Sequence, residues 1–450
     1  MEHAIMSDSE TSHNERFEHE GSRILRGRLA PARAGMWLLA KSLGRLVRIG
    51  RLTVFDPLGE TWRFGPGGEP AVSVRLTDRA LPAQLLANPS LALGEAYMDG
   101  TLRIEAGTLR DLLSICMTDM DTIDALPGRR LNRCLDAFRN RRLHHNPISR
   151  SHANVAHHYD ISTELYDLFL DADRQYSCAY FPTGTETLDE AQTLKKRHIA
   201  AKLLLRPGLE VLDIGSGWGG LAVELARQHG ARVTGLSLST EQITAARDRA
   251  AQSGLSGRVT FEQRDYREER GQYDRVVSVG MFEHVGRSGF DAFFGTLQRV
   301  LKPDGVGLLH AIGTKAPKGG SDPWVRKYIF PGGYLPTLSE TIAAAERSGM
   351  WVTDVEVLRL HYAETLRHWS ERFAAERETA RTLYDERFCR MWEFYLAVCE
   401  MAFRNGRLMV FQIQLAKRHD TVPLTRDYIA EAEAGQIAKN ISSDRTGRTP

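Results

Sequence analysis

The chain has 450 residues, of which 42% are hydrophobic and 26% charged, and its mean hydropathy is −0.34. This composition predicts a globular protein of about two or three domains and excludes wholesale disorder and collagen-like repeats. The net charge of +2 argues against a nucleic-acid-binding protein. It conceals an uneven distribution, because residues 22–150 carry 20 basic and 12 acidic side chains. Such asymmetry predicts an anionic surface as the partner.

The cysteines are too scattered for a disulfide framework or a zinc site, since no Cys-x-x-Cys pair occurs among Cys116, Cys134, Cys178, Cys389 and Cys399. We therefore expect no metal centre and a reducing, cytoplasmic environment. No run reaches the ~18 apolar residues of a membrane span, and the polar, acidic N-terminus differs from a signal peptide. The expectation is a protein that is soluble or peripherally associated with the inner face of a membrane.

Residues 1–21 are acidic and lack an apolar period, which predicts a disordered tail. Residues 34–51 have helical periodicity and form an apolar face and a basic stripe, namely Trp37, Leu39, Leu43, Leu46 and Val47 against Lys41, Arg45, Arg48 and Arg51. A helix packed on a core, with its basic face in solvent, is the favoured interpretation because amphipathic helices are the norm in soluble domains. The alternative is a helix lying in an anionic membrane interface.

Residues 52–76 alternate apolar and polar side chains around Gly and Pro turns, which predicts a pair of strands. They belong to a predicted N-terminal domain, residues 22–126. A basic linker follows at 127–150, where seven arginines accompany one acidic residue. Histidines recur here without a second set of ligands, which favours solvated side chains over a metal site: His144, His145, His152, His157 and His158.

Beyond residue 205, strand-like runs alternate with helical ones, which predicts a doubly wound α/β sheet. The predicted strands are Leu209–Ile214, Arg232–Leu238, Val259–Gln263, Asp274–Val279, Val306–Ile312, Trp351–Leu360 and Leu408–Leu415. A long helical region, 363–405, separates the last two. Residues 315–337 are rich in Gly, Pro and aromatic side chains, and their length predicts a lid or binding loop. We expect a flexible tail at 437–450.

The most informative local motif is VLDIGSGWGG, in which a buried strand ends at Asp213 and glycines open a helix. Gly215, Gly217 and Gly219 allow a tight turn and the close approach of a ligand to the backbone. The pattern also fits a dinucleotide fold, but the next strand ends in Ser237 rather than in a ribose-binding acid. Hydroxyl groups and an amide there, with an acid after the third strand, fit S-adenosylmethionine, whose sulfonium is cationic and carries no phosphate.

Several further segments occur in one order: NVAHHYDISTELYDLFLD, YSCAYFPTGTETLDEAQTLKKRHIAAKL, LDIGSGWGGLA, LSLSTEQ, VGMFEHVG, LLHAIG, IFPGGYLP, HYAETLRHWSERF and FYLAVCEMAFR. Over about residues 150–418 the chain thereby resembles the cyclopropane-fatty-acyl-phospholipid synthase family, which includes the mycolic acid cyclopropane synthases. The resemblance implies a class I, Rossmann-like α/β methyltransferase domain over 151–420, with an antiparallel last strand in its doubly wound sheet. LALGEAYMDG resembles the lipid-handling N-terminal domain of longer members, which implies a smaller α+β domain before the catalytic one.

By this resemblance, the S-adenosylmethionine site is lined by Tyr176, Ser177, Asp213, Gly215, Gly217, Gly219, Ser237, Leu238, Ser239, Gln242, Asp265 and Tyr266. The family also holds a bicarbonate ion near the reacting methyl group, and its ligands correspond to Cys178, Glu283, His310, the backbone of Ile312 and Tyr362. Taken alone, His310 in an apolar strand suits a satisfied core histidine, and its agreement with the other positions favours the ligand role. A late cysteine, here Cys399, is sometimes assigned a catalytic role in the family. No His or Lys neighbours it in sequence, so a structural cysteine is favoured.

The reaction implied by the resemblance is transfer of a methylene group from S-adenosylmethionine to the cis double bond of unsaturated acyl chains in membrane phospholipids. It closes a cyclopropane ring, with bicarbonate as the general base. The implied partner is an anionic membrane, and relatives imply a homodimer. Our own hypothesis is that Tyr180, Phe181 and Tyr334 stabilise the intermediate carbocation. Two alternatives stay open: a methyl-branched product from the same cofactor, and a non-catalytic lipid-binding protein on a degenerate methyltransferase fold.

Overall fold

The structure is a computed structural model, and the residues that it describes are 32–118, 162–315 and 322–435. The chain divides into two compact units, Met1–Asp136 and Ala137–Pro450. Several sequence predictions lie outside the described residues: the tails at 1–21 and 437–450, the basic linker at 127–150 and the histidines between 144 and 158.

The smaller unit is an α+β fold whose four-stranded sheet has the order β2-β1-β3-β4. Its elements are helix α1 over 32–46, β1 (Gly50–Phe55), β2 (Thr61–Gly67), β3 (Ala71–Leu76), α2 (Leu81–Ala87), α3 (Pro89–Met98), β4 (Leu102–Ala106) and α4 (Leu109–Met117). Strand β1 is antiparallel to β2 and parallel to β3, and β4 is antiparallel to β3.

The core of this unit follows from the alternation of side chains along its strands. Val72 and Val74 of β3 are buried, whereas the residues between and beside them are only half-buried. They join Met36 and Leu39 of α1 in one apolar cluster. The favoured interpretation of α1, a helix packed on a core, is therefore confirmed.

Three details predicted for these elements are wrong. The helix ends at residue 46 rather than 51, because Gly50 takes a left-handed φ of +64° and the chain turns into β1. Trp37, predicted on the apolar face, is 57% exposed. The segment 52–76 contributes to three strands rather than two, since β1 pairs with β2 on one side and with β3 on the other.

The larger unit is built on a seven-stranded sheet of order β10-β11-β9-β8-β5-β6-β7. The strands are β5 (Glu210–Ile214), β6 (Arg232–Ser237), β7 (Val259–Gln263), β8 (Tyr273–Val279), β9 (Leu301–Thr314), β10 (Trp351–Val357) and β11 (Leu408–Ala416). Strands β5 to β9 are mutually parallel, and β11 runs antiparallel between β9 and β10. The predicted doubly wound sheet with an antiparallel last strand is confirmed.

Helices cover both faces of this sheet. They are α5 (Thr163–Phe169), α6 (Leu188–Lys202), α7 (Gly220–His229), α8 (Thr240–Gln252), α9 (Phe290–Val300), α10 (Pro323–Tyr328), α11 (Leu338–Arg347), α12 (His361–Ala375), α13 (Arg377–Leu383), α14 (Glu386–Arg404) and α15 over 427–435. The predicted helical region 363–405 is thus three helices, and the Asp385 carboxylate begins the last of them by accepting a hydrogen bond from the amide of Phe388. None of the helices in the described parts of the chain is long and apolar enough to span a bilayer.

Two apolar clusters pack on opposite faces of the sheet because neighbouring residues in a strand point to opposite sides. Val211 of β5 and Leu308 of β9 pack with α6, α7 and α8, whereas the adjacent Leu212 and Leu309 pack with α9 and α11. The central strands are therefore buried on both faces, as near-continuous apolar runs in a parallel sheet predict.

Phe411 of β11 tests how far the sheet depends on its antiparallel strand. The side chain is fully buried in the cluster beside α9 and α11. Replacing Phe411 with Ala is expected to lower the free energy of unfolding by about 3–5 kcal/mol, because the cavity adds to the lost apolar burial. Urea denaturation measures the change, with the exposed Leu424 as the site of a control Ala variant. Equal midpoints for the two variants would contradict the prediction.

Candidate active site

The carboxyl ends of β5, β6, β7 and β8 meet at one edge of the sheet, as parallel strands require. A cavity of about 180 Å³ opens there. The predicted cofactor residues that line it are Tyr176, Ser177, Asp213, Gly215, Gly217, Ser237, Leu238, Gln242, Asp265 and Tyr266. The two others lie beside it at helix N-termini, Gly219 at that of α7 and Ser239 at that of α8.

Glycine is required by geometry at two positions of the loop between β5 and α7. Gly215 has a φ of +86°, and a Cβ there would lie 2.8 Å from Cβ of Met281. Gly219 has a φ of +79°, and its Cβ would lie 2.7 Å from Cζ of Phe261. The first glycine keeps the cavity wall open, and the second lets α7 pack closely on the sheet.

Asp213 brings a buried carboxyl group to the end of β5. Its Oδ2 atom has no hydrogen-bond partner among the described residues. Burial raises the pKa of this carboxyl group to about 7. An unsatisfied buried carboxylate oxygen costs free energy on its own, so the position is suited to accept a hydrogen bond from a ligand in the cavity.

Other polar groups of the cavity are oriented by one another. The Ser237 hydroxyl donates to Oε1 of Gln242 over 2.9 Å, and the Ser239 hydroxyl oxygen accepts from the Gln242 amide nitrogen over 3.3 Å. The guanidinium of Arg267 donates to both carboxylate oxygens of Asp265, over 2.8 and 2.7 Å. Arg267 also lines the cavity but was not among the predicted site residues.

Lys195 of α6 is a second group that sequence reasoning missed. Its ammonium is buried and donates to Oε1 of Gln175 and to Oγ of Ser177, each over 2.8 Å. Burial lowers its pKa to about 7. The available signal was helical spacing, because Lys195 follows the buried Leu188, Ala191 and Gln192 at intervals of three and four.

Glu283 is the centre of a second group of predicted residues. It follows β8 in a short turn, and its Oε1 accepts a hydrogen bond of 2.6 Å from the amide of Ile312 in β9. Its Oε2 is buried without a partner among the described residues. Burial raises the pKa of the carboxyl group to about 7.

Tyr362 lies near the same carboxyl group. Burial raises the pKa of its hydroxyl well above the usual range, and negative charge on Cys178, Cys399 and Glu283 would raise it further. The two thiols and the carboxyl group therefore each lie within electrostatic reach of the Tyr362 hydroxyl. Cys178 and Tyr362 are separated by more than half the length of the larger unit. Only the tertiary fold therefore brings these two side chains together.

The two cysteines of this group are thiols rather than thiolates. Cys178 is buried, its S–H donates to the carbonyl of Ala179 over 3.3 Å, and burial raises its pKa. Burial likewise raises the pKa of Cys399 to about 12. Since a nucleophilic cysteine needs a lowered pKa, a structural role for Cys399 stays our prediction.

His310 extends the group along β9. Its ring is buried, and burial together with nearby lysines lowers its pKa to about 3, so the imidazole is neutral. Nδ1 lies 3.1 Å from Nε2 of Gln412, its direct partner across β9 and β11. Gln412 was not predicted, because no local pattern marks a residue that acts across a strand pair.

Comparison with known proteins matches this arrangement to one family. The profile of "Mycolic acid cyclopropane synthetase" matches residues 147–413, and that of a domain of unknown function matches 53–123. Among curated proteins, "Cyclopropane-fatty-acyl-phospholipid synthase" of Escherichia coli is 36% identical over 78% of this chain and 89% of its own. A "Probable fatty acid methyltransferase" of Pseudomonas putida is 37% identical over 84% of this chain and 95% of its own.

The chain belongs to the mycolic acid cyclopropane synthetase family. It is accordingly an S-adenosylmethionine-dependent methyltransferase. Among solved structures, the cyclopropane synthase MmaA2 of Mycobacterium tuberculosis has a TM-score of 0.57 at 32% identity, covering 60% of this chain and 99% of its own. CmaA1 complexed with SAH and CTAB has a TM-score of 0.56 at 34% identity, covering 60% of this chain and 99% of its own.

Within this family fold, the aromatic side chains of our carbocation hypothesis have other partners. Tyr180 stacks on His198 at 4.3 Å between ring centroids, and Phe181 stacks on His368 at 5.6 Å. The Tyr334 hydroxyl donates to the carboxylate of Glu340. The rings next to Tyr362 are instead Trp369, at 5.8 Å, and Phe403, at 5.0 Å.

The predicted lid, residues 315–337, is described except for 316–321. Trp324 of α10 is fully buried and packs edge-on against Phe394 at 4.7 Å. Pro331 and Gly332 line the same cavity as the predicted cofactor residues. The segment therefore forms part of the cavity wall, and its opening and closing as a lid stays a prediction.

Gly215 gives a direct test of the cofactor cavity. Gly215→Ala is expected to weaken S-adenosylmethionine binding at least tenfold, because the methyl group forces Met281 to move at the cavity wall. Gly254→Ala is the matched control, with a similar positive φ of +66° but no heavy atom within 4 Å of the new Cβ among the described residues. Both variants share the backbone strain of ~1–2 kcal/mol. Calorimetric titration measures affinity, and equal affinities would contradict the assignment.

Proposed function

We propose that this protein transfers a methylene group from S-adenosylmethionine to the cis double bond of unsaturated acyl chains in membrane phospholipids, forming a cyclopropane ring with bicarbonate as general base. The observation that carries the proposal is Glu283. Its carboxyl group is buried, only one of its two oxygens has a hydrogen-bond partner among the described residues, and its pKa is about 7. The nearby residues Met281 and His284 line the cavity proposed for the cofactor. A proton-accepting site thus adjoins a methyl-transfer site.

Holding the reactants in place is the first task of the chain. The bound cofactor supplies an electrophilic methyl group on a sulfonium, and an alkene is a weak nucleophile. Fixing the two in line supplies about 7–11 kcal/mol of the barrier reduction in well-oriented reactions. The β5–α7 loop and the hydrogen-bonded side chains of Ser237 and Gln242 provide a wall against which the cofactor is held.

The residues around Glu283 fit a small oxyanion with a hydroxyl group. Oε2 of Glu283 is a buried acceptor that a bicarbonate hydroxyl would satisfy. The Tyr362 hydroxyl and the His310 ring N–H are donors for its oxygens, and Cys178 is a further member of the predicted set. The Ile312 amide, which was also predicted, donates its proton to Oε1 of Glu283 and so orients the carboxyl group. Bicarbonate supplies a base small enough to stand beside a methyl group among acyl carbons.

Glu283 gives the proton a route onward. A carboxyl group with a pKa of about 7 gains and loses a proton readily at neutral pH, which is the condition for efficient general acid–base catalysis. Burial causes this shift, since it disfavours the charged form. The rings next to Tyr362, those of Trp369 and Phe403, suit an acyl chain and keep water away from a carbocation.

Glu283→Gln tests the proton route. We expect S-adenosylmethionine affinity to be unchanged and kcat to fall by about 10²–10⁴, the usual contribution of a general acid or base. Glu224→Gln is the control, because Glu224 is also buried but pairs with Arg227. Labelled cofactor, purified unsaturated phospholipid and lipid mass spectrometry provide the assay. A near-normal rate in Glu283→Gln would exclude the base-relay role.

A methyl-branched product is the second candidate, favoured by the name of the Pseudomonas putida relative. The two outcomes differ in the lipid. A cyclopropane ring adds one CH₂ and leaves no double bond for ozone to cleave. A methyl branch can form in two ways: loss of a proton from the carbocation adds one CH₂ in total and keeps a double bond, whereas addition of hydride from a reductant adds one CH₄ in total. Mass spectrometry before and after ozonolysis therefore separates them. A chain that neither binds S-adenosylmethionine nor modifies lipid would restore the non-catalytic alternative.

The exposed face of α1 supports the proposed anionic membrane partner. Trp37 and Leu38 are exposed there, and Lys41 lies 5.5 Å from the Trp37 ring. Arg45 and Arg48 are exposed further along, and the helix contains no acidic residue. An aromatic ring beside cations suits the headgroup region of a bilayer. Attachment at the cytoplasmic face and a homodimer are part of the same proposal.

Salt dependence tests the membrane partner. Binding of the full chain to anionic vesicles is expected to weaken as salt is added, because charges on the surface are screened beyond ~8 Å at physiological ionic strength. Trp37→Ala and Lys41→Ala should each weaken sedimentation with vesicles, whereas Leu424→Ala should not. Equal binding to neutral and anionic vesicles would contradict the prediction.

A further inference from the structure

A hydrogen-bonded chain leads away from His310 into a part of the larger unit that the proposed reaction does not use. Nδ1 of His310 lies 3.1 Å from Nε2 of Gln412, and Oε1 of Gln412 accepts a hydrogen bond of 2.8 Å from Nζ of Lys202. Nζ of Lys202 also pairs with Glu356 and lies 3.9 Å from Asp354. The histidine, the glutamine and the lysine are buried and the two carboxylates are half-buried, so the orientations of these groups are restricted.

The donors and acceptors of this chain determine one another in order. A lysine ammonium only donates, so the amide oxygen of Gln412 must face Lys202 and its NH₂ group must face His310. The NH₂ group also only donates, so Nδ1 of His310 is an acceptor and carries no proton. Because the ring is neutral, its single proton lies on Nε2.

Burial lowers the pKa of Lys202, and the carboxylates of Glu356 and Asp354 act against burial by favouring the ammonium form. Oε2 of Glu356 accepts a hydrogen bond from Lys202 and also lies 2.7 Å from Nε2 of His198, and Nδ1 of His198 lies 2.7 Å from Glu433. Burial lowers the pKa of His198, but the hydrogen bonds to Glu356 and Glu433 outweigh burial and raise it overall. The charges of Lys202 and Glu356 are thus stabilised by a network that reaches the surface.

The antiparallel strand is what places Gln412 opposite His310. The two residues are direct partners in the pairing of β11 with β9, and side chains of paired residues lie on the same face of a sheet. A one-residue slip of β11 would turn Gln412 to the other face. The register of one strand pair therefore determines which nitrogen of the histidine is protonated.

We propose that Gln412, oriented by Lys202, is a positioning residue that holds His310 as the neutral tautomer with its proton on Nε2. That N–H is then the donor that His310 offers to the bound oxyanion. The catalytic part of this inference rests on the function proposed above, whereas the tautomer itself does not.

The tautomer is measured directly in the full chain labelled with ¹⁵N-histidine. Two-bond ¹H–¹⁵N correlation spectra distinguish a ring protonated on Nε2 from one protonated on Nδ1, and a His310→Asn variant identifies the signals of His310. We expect the Nε2–H pattern in the wild-type chain. A pattern of the Nδ1–H form, or of an imidazolium, at neutral pH would overturn the inference without any other variant.

Gln412→Glu reverses the direction of the hydrogen bond. A carboxylate only accepts, so it draws the proton of His310 to Nδ1 and leaves Nε2 without one. We expect the spectrum to change to the Nδ1–H pattern and kcat to fall by about 10²–10⁴, with unchanged S-adenosylmethionine affinity and lipid KM. Gln412→Leu removes the hydrogen bond to Nδ1 of His310, so both tautomers should be populated and kcat should fall less than in Gln412→Glu. This variant provides a second test if the Glu variant folds poorly.

Gln414→Glu is the matched control. Gln414 lies two residues along the same strand, is equally buried, and bonds to the carbonyl of Lys202 and the hydroxyl of Tyr428. It should leave both the tautomer and kcat unchanged once corrected for the folded fraction. If Gln412→Glu keeps the Nε2–H pattern, the inference fails while the Glu283→Gln test of the function stands. If the tautomer changes but kcat does not, the positioning role fails and His310 is no donor in the reaction.

Discussion

The site depends on one constraint: the carboxyl ends of parallel strands meet at the same edge of a sheet. Asp213 near the end of β5, Ser237 at the end of β6 and Glu283 after β8 are separated by tens of residues, yet they arrive at this edge because β5, β6 and β8 are paired in parallel. Strand β9 adds His310 and Ile312 beside them. The edge thus holds the cavity proposed for the cofactor, with the buried Glu283 carboxyl group next to it.

Burial then gives these groups their chemistry. Asp213, Glu283 and Lys195 have pKa values of about 7 for one physical reason, which is that the interior disfavours their charged forms. Leaving a carboxylate oxygen unsatisfied costs about 1–3 kcal/mol, and the two apolar clusters on the sheet offset that cost. The same packing therefore stabilises the sheet and shifts the pKa values of the buried groups toward 7.

The antiparallel strand β11 has a role at both levels. It completes the apolar cluster that contains Phe411, and its register sets Gln412 against His310. Gln412 contributes no atom to the proposed oxyanion site, yet by our proposal it determines which hydrogen-bond donor His310 presents there. Helix α1 in the smaller unit likewise has two faces. Met36 and Leu39 pack in the core, whereas Trp37 and Lys41 are exposed.

Local pattern by itself determined much of this protein. The glycine loop and the alternation of strands and helices predicted the fold class, because each is a property of neighbouring residues. The family resemblance that the ordered motifs carry implied which residues line the proposed cofactor cavity. Sequence did not reveal the end of α1, the exposure of Trp37, or the partners of Tyr180 and Phe181. Three contacts were decided by the tertiary structure alone. Lys195 donates to Ser177, the amide of Ile312 donates to Glu283, and Gln412 lies within hydrogen-bond distance of His310. Those contacts join residues distant in sequence, and only strand order, register and burial bring them together.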